Sequence, residues 1–396
     1  MNLPHRAHPL DLVAVGLLVA GLVSVAVGLV PGGVAIDVVG RIAPLLAFLA
    51  TVIVLAELTA QAEVFDVLAV GVARLGAGSY PALFVLCGGF ATITTVTLNL
   101  DTTAVLLTPV MLTLARRVGI AAVPLAMTTV WLANTASLLL PVSNLTNLLA
   151  MDRLGMSTVS FAGRMWAPQL ASVAVTMALL WAFFWRRGRR GVDRYVPPLR
   201  HVPVDRPLFL AAAAASLTFV VAILLAEVEL WVASALCAVV LVVAFAVRRP
   251  DALRPRLLPW RLLVSVTGLF LVMEGVSRLG LSALMQALIG TDPGLVGLAR
   301  ATGAGLLSSN LVNNLPAYLA GESVIAYGDT DRLLALLIGT NVGAIVTPWA
   351  SLATLLWFER CHAYGVRVPV TTFVVTGAGL AVVGCLATVA ALAGTG

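Results

Sequence analysis

Four short polar clusters stand out because each is enclosed by apolar chain. They are Asn99-Leu100-Asp101-Thr102-Thr103, then Ser143, Asn144 and Asn147 just after Pro141. Asn310, Asn313 and Asn314 precede Pro316, and Thr347, Ser351 and Thr354 surround Pro348. Amides and hydroxyls are neutral donors and acceptors, suited to the oxygens of a polyol or an oxyanion. Asp101 is the ionisable member of these clusters. A carboxylate within an apolar segment costs about 2.5–3.5 kcal/mol to insert, so it is read as functional, here as a proton or Na⁺ coupling group. Glu57 is the second coupling candidate. Glu274 occupies the equivalent place later in the chain, but Arg278 lies one turn on and neutralises it as an i,i+4 pair.

Residue types for covalent or metal chemistry are misplaced. His5, His8, His201 and His362 fall in termini or loops. Cys87, Cys237, Cys361 and Cys385 are scattered, with neither metal spacing nor a disulfide framework, and read as small buried side chains. No nucleophile elbow or zinc-type His-Glu cluster occurs. An enzyme is not expected, nor are a catalytic residue, a metal or a bound cofactor.

The elements that position these clusters must be membrane helices. Of 396 residues, 60% are hydrophobic and 11% charged, with a mean hydropathy of +1.04. That composition cannot cover a soluble surface. The apolar runs are too long for barrel strands, so backbone polar groups in lipid must be satisfied within helices. Uninterrupted spans are expected at 10–30, 42–60, 166–185, 208–226, 230–247 and 368–393. Interrupted ones cover 63–77, 81–117, 121–150, 262–290, 294–327 and 331–358. The first is read as a retained helix rather than a signal peptide.

The +6 charge does not imply nucleic acid. Every cationic side chain of the Lys/Arg class is Arg, and many sit in two loops. These are Arg186, Arg187, Arg189, Arg190, Arg194, Arg200 and Arg206, then Arg248, Arg249, Arg254, Arg256 and Arg261. Basic loops beside apolar spans are expected on the cytoplasmic side. The hairpin between them turns outside at Glu227 and Glu229. Asp66 with Arg74, and Asp152 with Arg153, read as helix-end residues at the interface.

The chain repeats itself. Asn134–Leu149 aligns without gaps to Asn341–Leu356, matching Pro141 with Pro348, Asn144 with Ser351 and Asn147 with Thr354. Upstream, Asn99–Thr103 corresponds to Asn310–Asn314, and Leu55-Ala-Glu57 to Val272-Met-Glu274. The expected organisation is a first repeat over 1–185, a cytoplasmic basic linker over 186–207 and a second repeat over 208–396. Each repeat carries a re-entrant hairpin, tipped near 98–103 or 308–314, and a broken helix, at 141–147 or 348–354. Arg116–Arg117 and the pair Arg360 and Arg367 set equivalent helices crossing in opposite senses, an inverted repeat. Proline lacks an N–H and breaks a helix, freeing backbone dipoles that persist at membrane depth only beside a polar cavity or protein. A single Pro kink with interhelical Asn and Ser bonds would be ordinary. Two at equivalent positions favour a binding site. The predicted fold is an all-α polytopic membrane protein of about ten transmembrane helices in two inverted repeats.

The motifs resemble the ion-transporter superfamily and, within it, the arsenite permease family. They are Leu100–Pro109, Asn144-Leu-Thr-Asn147-Leu, Ser308–Pro316 and Thr347–Trp357, and the resemblance spans about residues 40–375. The tips are also similar to the Ser-Asn-Thr tips of sodium-coupled dicarboxylate symporters, with Asn99 and Asn310 at the Asn position and Leu98 and Leu100 replacing Ser and Thr. Where the permease family carries an acid before the 63–77 segment, this chain has Gln61, with Glu57 one turn away. The resemblance implies a plasma-membrane antiporter that pairs arsenite or antimonite efflux with proton influx by an elevator or rocking alternating-access motion. Neutral arsenite trihydroxide suits a site of Asn, Ser and Thr without Arg. A Na⁺-coupled carboxylate or oxyanion symporter, or a Na⁺/H⁺ antiporter, is the alternative. The expected partners are the small solute and lipid, with a homodimer and an ATPase subunit left open.

Overall fold

A computed structural model of the chain describes residues 9–186, 194–225, 228–254 and 257–395. His5, His8, Arg187, Arg189, Arg190, Glu227 and Arg256 lie outside the described residues. Helices account for nearly all regular structure, and no strand occurs among the described residues. Six described helical segments are long and apolar enough to cross a membrane. The fold is therefore that of an all-α multi-pass membrane protein. All four cysteines are buried and free.

The chain divides into two compact units, each taking a piece from either sequence half. One runs up to Ala62 and resumes over Asp205–Leu281; the other comprises Glu63–Val204 and Ser282–Gly396. In the first unit, α1 (Pro9–Ala26) packs on α11 (Trp260–Val276), and α2 (Gly32–Gln61) packs on α9 (Arg206–Leu225) and α10 (Leu230–Arg248). Gly268 lets the α1 and α11 backbones touch, since a Cβ there would sit 2.4 Å from Leu18 N. Hydroxyl pairs clamp α2 to its neighbours: Thr51 to Ser234 at 2.6 Å and Thr59 to Ser216 at 3.0 Å. Glu57 lies half-buried on α2. Arg278 donates to Glu274 at 3.0 Å, the i,i+4 pair expected from sequence.

The second unit opens with α3 (Val64–Leu75), α4 (Tyr80–Thr97), α5 (Leu100–Val118) and α6 (Ala122–Thr135). After a break come α7 (Leu145–Leu154) and α8 (Thr158–Leu180), the latter prolonged by a π turn. Its second half holds α12 (Ser282–Ile289), α13 (Gly294–Val312), α14 (Asn314–Glu322), α15 (Thr330–Asn341), α16 (Leu352–Ala363) and α17 (Val370–Ala393). The centre is made by α6 and α15, buried on every side over Pro124–Thr135 and Leu333–Asn341. A helix apolar all round can only sit inside a bundle. Trp357 of α16 donates to Ala126 O at 2.8 Å, and Trp185 to Thr128 Oγ1 at 3.0 Å, so indole rings pin neighbouring helices to α6. On α15, Gly339 abuts α13 so closely that a Cβ would lie 2.1 Å from Thr302 O.

Asp66 and Arg74 stand in the first and last turns of α3, the helix-end places expected from sequence, and Arg117 of the neighbouring α5 donates to Asp66 at 2.5 Å. Part of the linker returns to α3: Tyr195 donates to Ala73 O at 2.9 Å and His201 pairs with Glu63 at 2.7 Å. One sequence expectation shifts, the position of the breaks. α6 ends at Thr135 and α15 at Asn341, several residues before Pro141 and Pro348. Pro141 instead starts a short 3₁₀ turn after an extended Leu140, the conformation a following proline imposes. The chain is already out of helix when the proline arrives.

Candidate functional site

Every helix that begins at a predicted polar cluster begins on a capping side chain. Asn99 Oδ1 accepts from Thr102 N at 2.7 Å, Asn144 Oδ1 from Thr146 N at 3.2 Å, Asn313 Oδ1 from Leu315 N at 3.3 Å, and Ser351 Oγ from Thr354 N at 3.2 Å. These residues cap because a short polar side chain satisfies N–H groups that a first helical turn leaves without partners. The four N-termini belong to α5, α7, α14 and α16. In the hairpin tips, the cap equivalent to Asn99 is Asn313, three residues beyond the Asn310 aligned from sequence. Asn313 adopts φ +96°, a left-handed conformation that turns the chain between α13 and α14.

Hydrogen bonds then join the four starts. Ser143 donates to Val96 O at 2.8 Å, fastening the first break to the α4–α5 tip. Thr103 donates to Asn99 O at 2.8 Å and receives Thr95 Oγ1 at 3.2 Å, closing the base of that tip. At the second tip, Asn313 Nδ2 donates to Trp349 O at 2.8 Å and Asn314 N to Ala350 O at 2.8 Å.

The central helices supply the cross-links. Asn341, ending α15, accepts from Thr146 Oγ1 at 2.8 Å and donates to Asn147 Oδ1 at 2.9 Å. Asn134, on the last turn of α6, donates to Thr354 Oγ1 at 3.4 Å. One offset of 207 positions carries Asn134 to Asn341 and Asn147 to Thr354, so the two contacts are the same contact made by either half. Asn147 also donates to Ser137 O and Leu140 O, at 2.6 and 2.9 Å, while Thr354 bonds the Ser351 hydroxyl at 2.9 Å.

Unwound backbone at this depth must be satisfied by protein. In each break a neighbouring amide side chain does so, since an amide offers both a donor and an acceptor. Gln169 of α8 accepts from Leu138 N at 2.9 Å and donates to Ala136 O at 3.0 Å. Asn310 of α13 donates to Leu306 O and Gly343 O at 2.7 Å, and accepts from Val346 N and Thr347 N at 3.1 and 2.9 Å. Thr347 Oγ1 and Trp349 Nε1 both donate to Asn310 O at 3.0 Å. Asn310 and Thr347 thus hold the second break in shape.

Thr102, Thr103, Ser143, Asn147, Ser351 and Thr354 are sealed from solvent, and Asn99, Asn144, Asn313 and Asn314 nearly so. Asp101 sits in the first turn of α5, beside the Asn99 cap. Four buried polar atoms here have no partner among the described residues: Asp101 Oδ1, Thr102 Oγ1, Asn134 Oδ1 and Asn144 Nδ2. All the predicted site residues except Glu57 fall in this unit. Sequence reasoning overlooked Asn134, Asn341, Thr146 and Gln169 as site residues. Gln169 could have been found as a lone amide inside an apolar span, and the two asparagines as the matched first position of the internal alignment.

The arrangement is a closed, uncharged lattice of amides and hydroxyls with one carboxylate, lined by helix N-termini that carry partial positive charge. Among the described residues it pairs no nucleophile with an adjacent base, and its groups are neutral donors and acceptors suited to oxygen atoms. A sequence profile described as citrate transporter matches residues 6–327. The chain belongs to the citrate transporter family. The chain is also similar to arsenical pump membrane proteins. That of Yersinia enterocolitica is 30% identical over 335 residues, covering 78% of this chain and 76% of the relative. One from Escherichia coli is 30% identical over 336 residues, with the same coverage. Another, from Escherichia coli strain K12, is 28% identical over 337 residues, covering 79% and 77%. Among solved structures, the Alcanivorax borkumensis YdaH transporter aligns over 97% of this chain and 96% of its own, with a TM-score of 0.48 and 15% identity. As a citrate transporter family member, the protein is a multi-pass membrane transporter.

Proposed function

We propose that the protein exports arsenite or antimonite in exchange for protons, by alternating access between two inverted repeats. One observation carries this reading. The lattice built by the two breaks offers amides, hydroxyls and N-termini, and the stretches 95–103, 134–147, 308–316 and 341–354 contain no Arg. Such a site matches an uncharged trihydroxide, which needs many weak donors and acceptors rather than a counter-charge. The names of the relatives point the same way. Asp101 is the coupling group: a carboxyl with an unpartnered buried oxygen, next to the capped turn of α5. Its proton and the solute would occupy the centre in opposite strokes. The predicted lining comprises Asn99, Thr102, Thr103, Ser143, Asn144, Asn147, Asn313, Asn314, Ser351 and Thr354, with Asn310 and Thr347 as shapers of the second break.

A second reading is carried by the helix N-termini themselves. Such ends bind anions without Arg, and the family is described as citrate transporter. In this reading the solute is a carboxylate carried with Na⁺. Growth of arsenite-sensitive cells on arsenite separates the two. Export should restore growth with the wild-type chain and not with Asp101→Asn. No protection, together with Na⁺-dependent citrate uptake into the same cells, would replace the first reading by the second.

A further inference from the structure

The two halves place equivalent asparagines at the ends of the two central helices, yet use them differently. Asn341 is engaged at both ends of its amide, by Thr146 Oγ1 and Asn147 Oδ1. Asn134 is not. Its nitrogen donates to Val130 O at 2.9 Å and reaches Thr354 Oγ1 at 3.4 Å. A carbonyl can only accept, so Val130 O fixes which end of the amide is nitrogen, and Oδ1 is the free end. That oxygen is buried, in a side chain only 1% exposed, and has no partner among the described residues. An unmet buried acceptor is costly unless something else supplies it a donor. Through its nitrogen the Asn134 amide reaches the Ser351–Thr354 cap of α16, in the unit where Asn144 Nδ2 and Thr102 Oγ1 are likewise unmet.

We infer that Asn134 is a specificity-determining residue whose Oδ1 accepts a hydrogen bond from an O–H group of the bound solute. The inference rests on the transport reading above and narrows it. An amide oxygen needs a donor, so the form carried presents a hydroxyl at this point: a neutral trihydroxide, or a hydroxy acid through its hydroxyl. A fully deprotonated oxyanion would put oxygen against oxygen and be refused. Asn341, its pseudo-symmetric partner, holds α15 to α7 and reads nothing.

The test is flux of arsenite, and separately of citrate, into proteoliposomes containing the full chain, with thermal unfolding of the same preparations. Asn134→Ala should raise KM for the transported probe roughly tenfold, the size of one lost hydrogen bond, with maximal rate and thermal midpoint near wild type. Asn134→Asp keeps an acceptor oxygen at that place and should recover part of the KM. Asn341→Ala, which removes a tie between α15 and α7, should instead lower the midpoint. An unchanged KM in Asn134→Ala, or a loss fully explained by unfolding, overturns the inference alone. Wild-type vesicles that carry neither probe overturn the transport reading and this inference with it.

Discussion

Truncating Asn341 to Ala removes two buried side-chain hydrogen bonds at once, those from Thr146 at 2.8 Å and to Asn147 at 2.9 Å. Interhelical bonds in membrane proteins average about 0.6 kcal/mol, with a maximum near 1.7 kcal/mol. Two bonds therefore contribute about 1–3 kcal/mol. The substitution also strands Asn147 Oδ1 in a side chain with no exposed surface, and a stranded acceptor costs about 1–3 kcal/mol. Thr146 can recover part of its loss by turning its hydroxyl to a carbonyl one turn back. The net expectation is a destabilisation of about 2–4 kcal/mol. Reversible unfolding of the purified protein in mixed micelles measures it. A double-mutant cycle with Asn147→Ala should yield a coupling of about 0.6–1.7 kcal/mol. Asn134→Ala, losing one long contact to Thr354 and a bond to Val130 O within its own helix, should cost under about 1 kcal/mol in the same assay. A loss below about 0.5 kcal/mol for Asn341→Ala, with no coupling to Asn147, would refute the claim that these bonds hold the breaks together.

Other outcomes follow from the same geometry. Gln169→Leu preserves volume but strips Leu138 N and Ala136 O of their partners; about 2–4 kcal/mol should be lost, measured by the same unfolding method. Gly339→Val forces a Cβ toward Thr302 O and should cost at least about 1–3 kcal/mol by overpacking, read as loss of the monodisperse peak in detergent gel filtration. At the start of α9, the Leu208 backbone N–H and then Arg248 hold the Asp205 carboxyl below its ordinary range. The charged form is the stabilising one, so the contribution is present above about pH 4 and is lost as pH falls through the lower folded value. The gap in thermal midpoint between wild type and Asp205→Ala should be open at pH 7 and closed well below pH 4; a gap that persists in strong acid would contradict this.

The fold class was legible because it follows from hydrophobic length and the shortage of charge, which leave helices in lipid as the one solution. The polar clusters holding Asn99, Asn144 and Ser351 were legible as interruptions of apolar chain, but that these side chains cap helix starts was not. Nor was the position of the breaks. Proline marked the neighbourhood, but the helices end earlier because amides on other helices, Gln169 and Asn310, take over the freed backbone groups. Local sequence cannot show a partner 31 or 33 residues away. The same blindness shifted the second tip from Asn310 to Asn313. Aligning polar residues by type treats a bracing amide and a capping amide alike, and only φ at Asn313 separates them.

The central claim is that one closed polar lattice carries the solute and that Asp101 couples it to protons. Its most direct test is arsenite uptake into everted vesicles or proteoliposomes under an imposed pH gradient, with and without Na⁺. The account predicts that acidifying the lumen accelerates uptake by the wild type, that Na⁺ changes nothing, and that Asp101→Asn abolishes the acceleration while keeping the fold. Acceleration of equal size in Asp101→Asn, or uptake driven by Na⁺ and indifferent to pH, would contradict it.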